Sequence, residues 1–387
     1  MSIKSIAVTT VLIVAVLILT IFVLISAKNK SGTDSRQDQE IYTDGLKASI
    51  GQMLIVGFRG TEITQGTKIV NDIKNLNLGG IILFDYDQPS KSYQRNIKNP
   101  EQLERLTTDL QNITTTPLLI SVDAEGGMVN RLKESYGFIK VPSAADLGKG
   151  TIENTKKVAF NLANELNALG INTNFAPVVD VNVNPQNPVI GALDRSFSSD
   201  PEKVTDYAKA FILAQKAENI INVIKHFPGH GSSKSDSHKG LVDITNTYQE
   251  EELIPFKELI NQGVVDVVMT AHIMNRNIDP DYPATLSTKF LEDILRDELN
   301  FKGVIVSDDM QMKAITDNFG FGDSIIRAIN AGCDMLIFSN NIDTYDPDIA
   351  QKAVDIIYNA VLDGRIDKDR IIEATNRIKN LKNKYLI

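Results

Sequence analysis

Eight short apolar or β-branched runs, each followed by a stretch of helical pattern, divide most of this chain. They fall at residues 53–58, 80–84, 118–122, 174–179, 222–226, 265–271, 303–307 and 334–338. Several lack polar alternation, as expected for strands buried on both faces of a parallel sheet. Between them, Val158, Leu162, Leu166 and Leu169 repeat at three and four, with Gly170 where a C′ glycine belongs. Asp200-Pro201-Glu202 has the form of an N-cap, a proline at N1 and an early acid, and Leu291, Ile294, Leu295 and Leu299 give another amphipathic face. Repeated βα units predict an α/β fold, a TIM-type (β/α)8 barrel. A doubly wound open sheet is the competitor. No Gly-x-Gly-x-x-Gly follows a strand, so dinucleotide binding lacks support.

Barrel enzymes keep their chemistry at strand carboxyl ends, and polar residues fall there in register. Asp123 ends the third run, Asp180 the fourth, Lys225 and His226 the fifth, and His272 the sixth. Asp308 and Asp309 end the seventh, Ser339 and Asn340 the eighth. The fifth position is the densest. Lys225-His226-Phe227-Pro228-Gly229-His230-Gly231, followed by Asp236-Ser237-His238, holds three of the four histidines. Pro228 and the glycines turn the backbone sharply there. One histidine in a loop more often caps or solvates; this concentration reads as a site.

The formal charge of −9 and the lack of any Lys/Arg-rich block argue against nucleic acid as a partner. Cys333 is the only cysteine, which excludes an internal disulfide and a cysteine-rich metal site. Histidines and aspartates at strand ends are also compatible with a zinc hydrolase on the same barrel. Here, however, the histidines crowd one loop without HxH or HExxH spacing, so neither metal nor cofactor is expected. A monomer is expected.

Residues 6–27 are almost wholly apolar and uncharged. About twenty such residues cross a bilayer core of about 30 Å, whereas the apolar part of a cleavable signal is about 7–15 residues long. Residues 1–27 are therefore expected to be a transmembrane anchor, with a long signal peptide as the alternative. Residues 28–40 form a polar, aromatic-free tether, and residues 41–387 form the folded body. The expected location is the cell membrane, single-pass with the body outside, or secretion if the segment is cleaved.

Four motifs, in this order, resemble the single-domain β-N-acetylhexosaminidases of glycoside hydrolase family 3. They are Ser121-Val122-Asp123-Ala124-Glu125-Gly126-Gly127; Asn174-Phe175-Ala176-Pro177-Val178-Val179-Asp180; the Lys225–Gly231 stretch with Asp236-Ser237-His238; and Gly303-Val304-Ile305-Val306-Ser307-Asp308-Asp309. The resemblance spans the chain from about residue 53 to its end. It implies a retaining mechanism with Asp308 as nucleophile and His238, paired with Asp236 on a mobile loop, as general acid/base. It also implies that Asp123, Arg131, Arg195, Lys225 and His226 hold the terminal sugar. The substrate implied is a glycan ending in β-linked N-acetylglucosamine, such as a peptidoglycan fragment. A family 3 β-glycosidase or phosphorylase of other specificity is the alternative. Met128 departs from the pattern, standing where relatives often carry a basic residue.

The chemistry is coherent residue by residue. A glycosidic bond breaks through an oxocarbenium-like transition state, which needs electron density below the anomeric carbon and a proton for the departing oxygen. Pattern alone leaves Asp308 and Asp309 equal, since adjacent strand residues point to opposite faces and only one can face the mouth. The resemblance selects Asp308 and leaves Asp309 a hydrogen-bonding role, such as capping the next helix. Imidazole, with an ordinary pKa near 6.5, suits proton transfer at neutral pH, and a neighbouring aspartate fixes its tautomer. Asp180 reads as a carboxylate that orients a lysine or histidine, and His230 as a residue that shapes its loop. His272 either lines the pocket or sits satisfied at its strand end.

Overall fold

The structure, a computed structural model, describes residues 43–387. The chain divides into two units, Met1–Lys47 and Ala48–Ile387. In the first, residues 43–47 are helical. The expected anchor (1–27) and tether (28–40) lie outside the described residues, and among the described residues no helix is long and apolar enough to cross a membrane.

The second unit is a closed barrel of eight parallel strands: β1 (Leu54–Gly57), β2 (Gly80–Leu83), β3 (Leu119–Val122), β4 (Thr173–Asn174), β5 (Ile221–Phe227), β6 (Val267–Thr270), β7 (Val304–Asp309) and β8 (Met335–Phe338). Each stave pairs with its neighbours in sequence, and β8 closes on β1 through Leu54–Leu336 and Val56–Phe338. Apolar runs suit this arrangement because one face fills the barrel and the other meets helices. β1, β2, β3, β6 and β8 are buried at every position.

The helices follow the caps read from the sequence. Asp200 accepts from the Glu202 and Lys203 N–H groups, and Pro201 opens the helix Pro201–Lys216. The helix Ile152–Ala168 buries Leu162 and Leu166, and Gly170 beyond it has φ +67°. At the amino end of β8, the buried Asp334 carboxylate meets Arg296 at 2.7 Å and Arg370 and Arg377 at 3.0 Å each. This ties the carboxy-terminal helix Lys368–Tyr385 to the barrel floor.

One stave differs from expectation. The fourth apolar run spans residues 174–179, but ladder pairing covers only Thr173 and Asn174. Pro177 has no N–H to give a ladder, so beyond it only an isolated bridge, Val178–Lys225, continues the contact with β5.

Candidate active site

Three backbone devices assemble the mouth. After β3, Ala124–Gly126 pairs antiparallel with Val129–Asn130, and the turn between them uses positive φ at Gly126 (+97°) and Gly127 (+57°). The Arg131 N–H then bonds the Asp123 carbonyl at 3.0 Å, bringing the arginine back over the strand it left. After β5, a Cβ on Gly231 would stand 1.6 Å from the Val181 carbonyl oxygen, so only glycine lets this loop lie against the chain following Asp180.

The third device is Asp180 itself. Its Oδ2 lies 2.7 Å from His226 Nδ1, and its Oδ1 accepts the backbone N–H groups of His226 (3.2 Å) and His230 (2.8 Å). Burial pushes this carboxyl up, but His226 and His230 outweigh burial and hold it below its ordinary value. With Nδ1–H directed at Asp180, His226 keeps Nε2 towards Arg195, 3.4 Å away.

Five residues expected to hold a sugar converge. Lys225 Nζ lies 2.8 Å from Asp123 Oδ1, Arg131 NH2 lies 3.4 Å from Asp123 Oδ2, and Arg195 abuts His226. Glu125, which the sequence reading did not single out, joins them. It receives both Arg195 Nε (2.8 Å) and NH2 (2.7 Å), and Lys225 Nζ at 2.6 Å. Its signal was present, since it stands two positions after Asp123 in the same motif. Burial raises the carboxyls of Asp123 and Glu125. Lys225 and Arg131 for Asp123, and Arg195 and Lys225 for Glu125, more than offset this, so both stay ionised well into acid.

Asp308 and Asp309 face different partners. Asp309 Oδ1 accepts the N–H groups of Gln311 and Ser339 at 3.1 Å each, and Oδ2 accepts the Ser339 hydroxyl. Burial nevertheless pushes its pKa up to about 6. Asp309 thus joins β7 to β8 and the following turn, a hydrogen-bonding role as expected. Asp308, at the end of β7, accepts the Asp309 N–H at 2.7 Å and feels the charge of His272, His226 and His238. Burial raises it, but these three imidazoles outweigh burial and hold it below its ordinary value. His272 is fully buried and satisfied, with Nδ1 2.8 Å from the Thr285 hydroxyl and Nε2 2.9 Å from the Asp309 carbonyl.

His238 sits on the loop after β5, with its side chain 64% exposed. Its Nδ1 lies 2.8 Å from Asp236 Oδ1, which also accepts the His238 N–H at 2.9 Å. The bond from the ring lowers Asp236 to about 2. The His238 imidazole is raised above its ordinary value, first by that bond and, against burial, by the charge of Asp308. Nε2 is left for exchange with a ligand. The loop after β5 thus carries the Asp236–His238 pair, while Asp308 stands at the end of β7. Among the described residues, no group of three or more His, Cys, Asp or Glu side chains is arranged to hold a metal ion.

A parallel eightfold barrel with a carboxylate, an imidazole–carboxylate pair and a basic–acidic cradle at its carboxyl mouth defines a glycosidase class of site. The chain belongs to glycosyl hydrolase family 3: the family's N-terminal domain matches residues 45–381. It is 34% identical over 303 residues to the beta-hexosaminidase of Nitrosomonas eutropha, covering 76% of this chain and 82% of that protein. To the beta-hexosaminidase of Photobacterium profundum it is 38% identical over 270 residues, covering 70% and 77%. Among solved structures, a family 3 beta-N-acetylglucosaminidase from Paenibacillus sp. str. FPU-7 superposes with a TM-score of 0.79 at 36% identity. That match covers 88% of this chain and 62% of the Paenibacillus chain. The beta-N-acetylhexosaminidase of Beutenbergia cavernae superposes at 0.75 with 30% identity, covering 87% of this chain and 98% of its own. The protein is a glycoside hydrolase.

Proposed function

We infer that this chain is a retaining exo-β-N-acetylglucosaminidase, and the observation that carries the reading is the cradle in which Lys225 bridges Asp123 and Glu125 and Arg195 grips Glu125, on the same carboxyl mouth where β7 ends in Asp308 and the loop after β5 carries the His238–Asp236 pair. The beta-hexosaminidase and beta-N-acetylglucosaminidase names of its relatives support the choice of sugar. Asp123, Arg131, Arg195, Lys225 and His226 bind the terminal residue, with Glu125 fixing Lys225 and Arg195 in place. Asp308 attacks the anomeric carbon while His238 gives its Nε2 proton to the departing oxygen. His238, now neutral, takes a proton from water as that water attacks the same carbon, which releases the sugar and frees Asp308. Asp236 holds the ring in the Nδ1–H tautomer and steadies its protonated form.

The apolar character of residues 6–27 supports a second element of the reading, an exported catalytic body tethered to the cell membrane. From that position, cell-wall glycans such as peptidoglycan fragments are the accessible substrate. The test is turnover of chromogenic β-N-acetylglucosaminide and β-glucoside by the wild type, Asp308→Ala and His238→Ala. The reading requires faster hydrolysis of the N-acetylglucosaminide and its loss in Asp308→Ala. Preference for the glucoside removes the substrate assignment, and an undiminished Asp308→Ala removes the nucleophile.

A further inference from the structure

We propose that Tyr93 and Met128 form the subsite for the leaving group, receiving a second pyranose ring whose C–H face lies on the Tyr93 ring. The proposal rests on the glycosidase reading of the same mouth. Met128 is 69% exposed and Tyr93 64%, and both sit beyond the carboxyl ends of adjacent staves. Met128 is at the turn between Ala124–Gly126 and Val129–Asn130, after β3. Tyr93 is on the small hairpin pairing Tyr86–Asp87 with Ser92–Tyr93, after β2.

The Tyr93 ring is held in place by its neighbours. Tyr86 meets it edge-on with centroids 4.9 Å apart, and Lys133 Nζ lies 5.4 Å from its centroid. Lys133 is in turn paired with the buried Asp85. The segment that anchors Tyr93 through Lys133 also carries Arg131 of the sugar cradle. Phe84 and Asp85 are consecutive residues beyond β2. The Arg131 guanidinium lies 5.5 Å from the Phe84 ring centroid, while Lys133, two residues further along the same segment, pairs with Asp85. Arg131 reaches Asp123 from there. An exo-acting barrel buries the terminal sugar on Asp123 and Arg131, and the next ring emerges at the rim. An aromatic ring and a thioether provide dispersion and exclude water from an apolar sugar face without demanding a hydrogen-bond pattern. The subsite therefore selects for the presence of a second ring more than for its substituents.

The test compares kcat/KM for two substrates of one terminal sugar: the β-1,4-linked disaccharide of N-acetylglucosamine, and β-N-acetylglucosaminyl azide, whose leaving group is too small to reach the platform. The readout is the disaccharide-to-azide ratio in the full chain. Tyr93→Ala is expected to lower that ratio about tenfold and Met128→Ala about threefold, while Tyr93→Phe and Tyr93→Trp restore it. A ratio equal to the wild type's in both alanine variants overturns the subsite, as does an equal loss on both substrates. Failure of the wild type to cleave either substrate is a distinct result; it overturns the glycosidase reading itself and the subsite with it.

Discussion

Asp308 and Asp309 are consecutive carboxylates with opposite proton affinities: Asp308 is held below its ordinary value by three imidazoles, and Asp309 is pushed up to about 6 by burial. One strand position separates the group free to meet a substrate from the group committed to the scaffold. Replacing Asp308 by Asn is expected to lower kcat at least about a thousandfold while leaving thermal stability near that of the wild type. Asp309→Asn should show the reverse balance. It weakens the links to Ser339 and Gln311, costs about 1–3 kcal/mol of stability, and reduces turnover less. Steady-state kinetics and thermal melts of the two variants decide the point.

The pH profile depends on His238. As the proton donor it must be protonated, so kcat/KM falls as pH rises through its pKa, which lies above the ordinary 6.5. Asp236 is the first cause of that elevation. In Asp236→Asn the alkaline limb is therefore expected to move to lower pH, with kcat reduced about 10–100-fold. A limb that stays where it was in the wild type contradicts the pairing.

Lys225 is nearly inaccessible, with a side chain 3% exposed between Asp123 and Glu125. Lys225→Ala removes the cation shared by these two buried carboxylates, leaving Asp123 only Arg131 and Glu125 only Arg195, and is expected to destabilise the fold by about 3 kcal/mol, measured by chemical denaturation. The sign of its pH dependence follows from the depressed pKa values. Asp123 and Glu125, both held down in part by Lys225, contribute stability above their ordinary values of 3.8 and 4.5, and this is lost as pH falls through the lower folded values. The variant should therefore lose less stability than the wild type on going from pH 5 to pH 2.

Gly231 tests the loop that carries His238. A methyl group there would meet the Val181 carbonyl at 1.6 Å. Gly231→Ala should lower the melting temperature and reduce kcat more than it raises KM, because the backbone must shift between Asp180 and the His238 loop.

Much of the fold was legible because a stave buried on both faces must be apolar throughout, and that signal survives in a single sequence. It misled only at the fourth stave, where Val178 and Val179 are as apolar as a strand but Pro177 denies the ladder a donor. The site was legible as residue types at strand ends, but not as partnerships. That Glu125 would take Lys225 and both arms of Arg195 depends on β3 and β5 approaching through the short β4, a three-dimensional fact with no local trace. Alternation shows that Asp308 and Asp309 diverge, but the anchoring of Asp309 comes from Ser339 on the neighbouring stave.

Whether Asp308 forms a bond to the sugar can be read directly by mass. The protein is incubated with a fluorinated N-acetylglucosaminyl donor that slows release of the sugar, then digested and sequenced by tandem mass spectrometry. The account predicts one glycosyl adduct on the peptide spanning residues 304–311, located on Asp308 and absent from Asp308→Ala. An adduct on Asp309 or another acid, or full turnover through a wild type that never carries one, would contradict it.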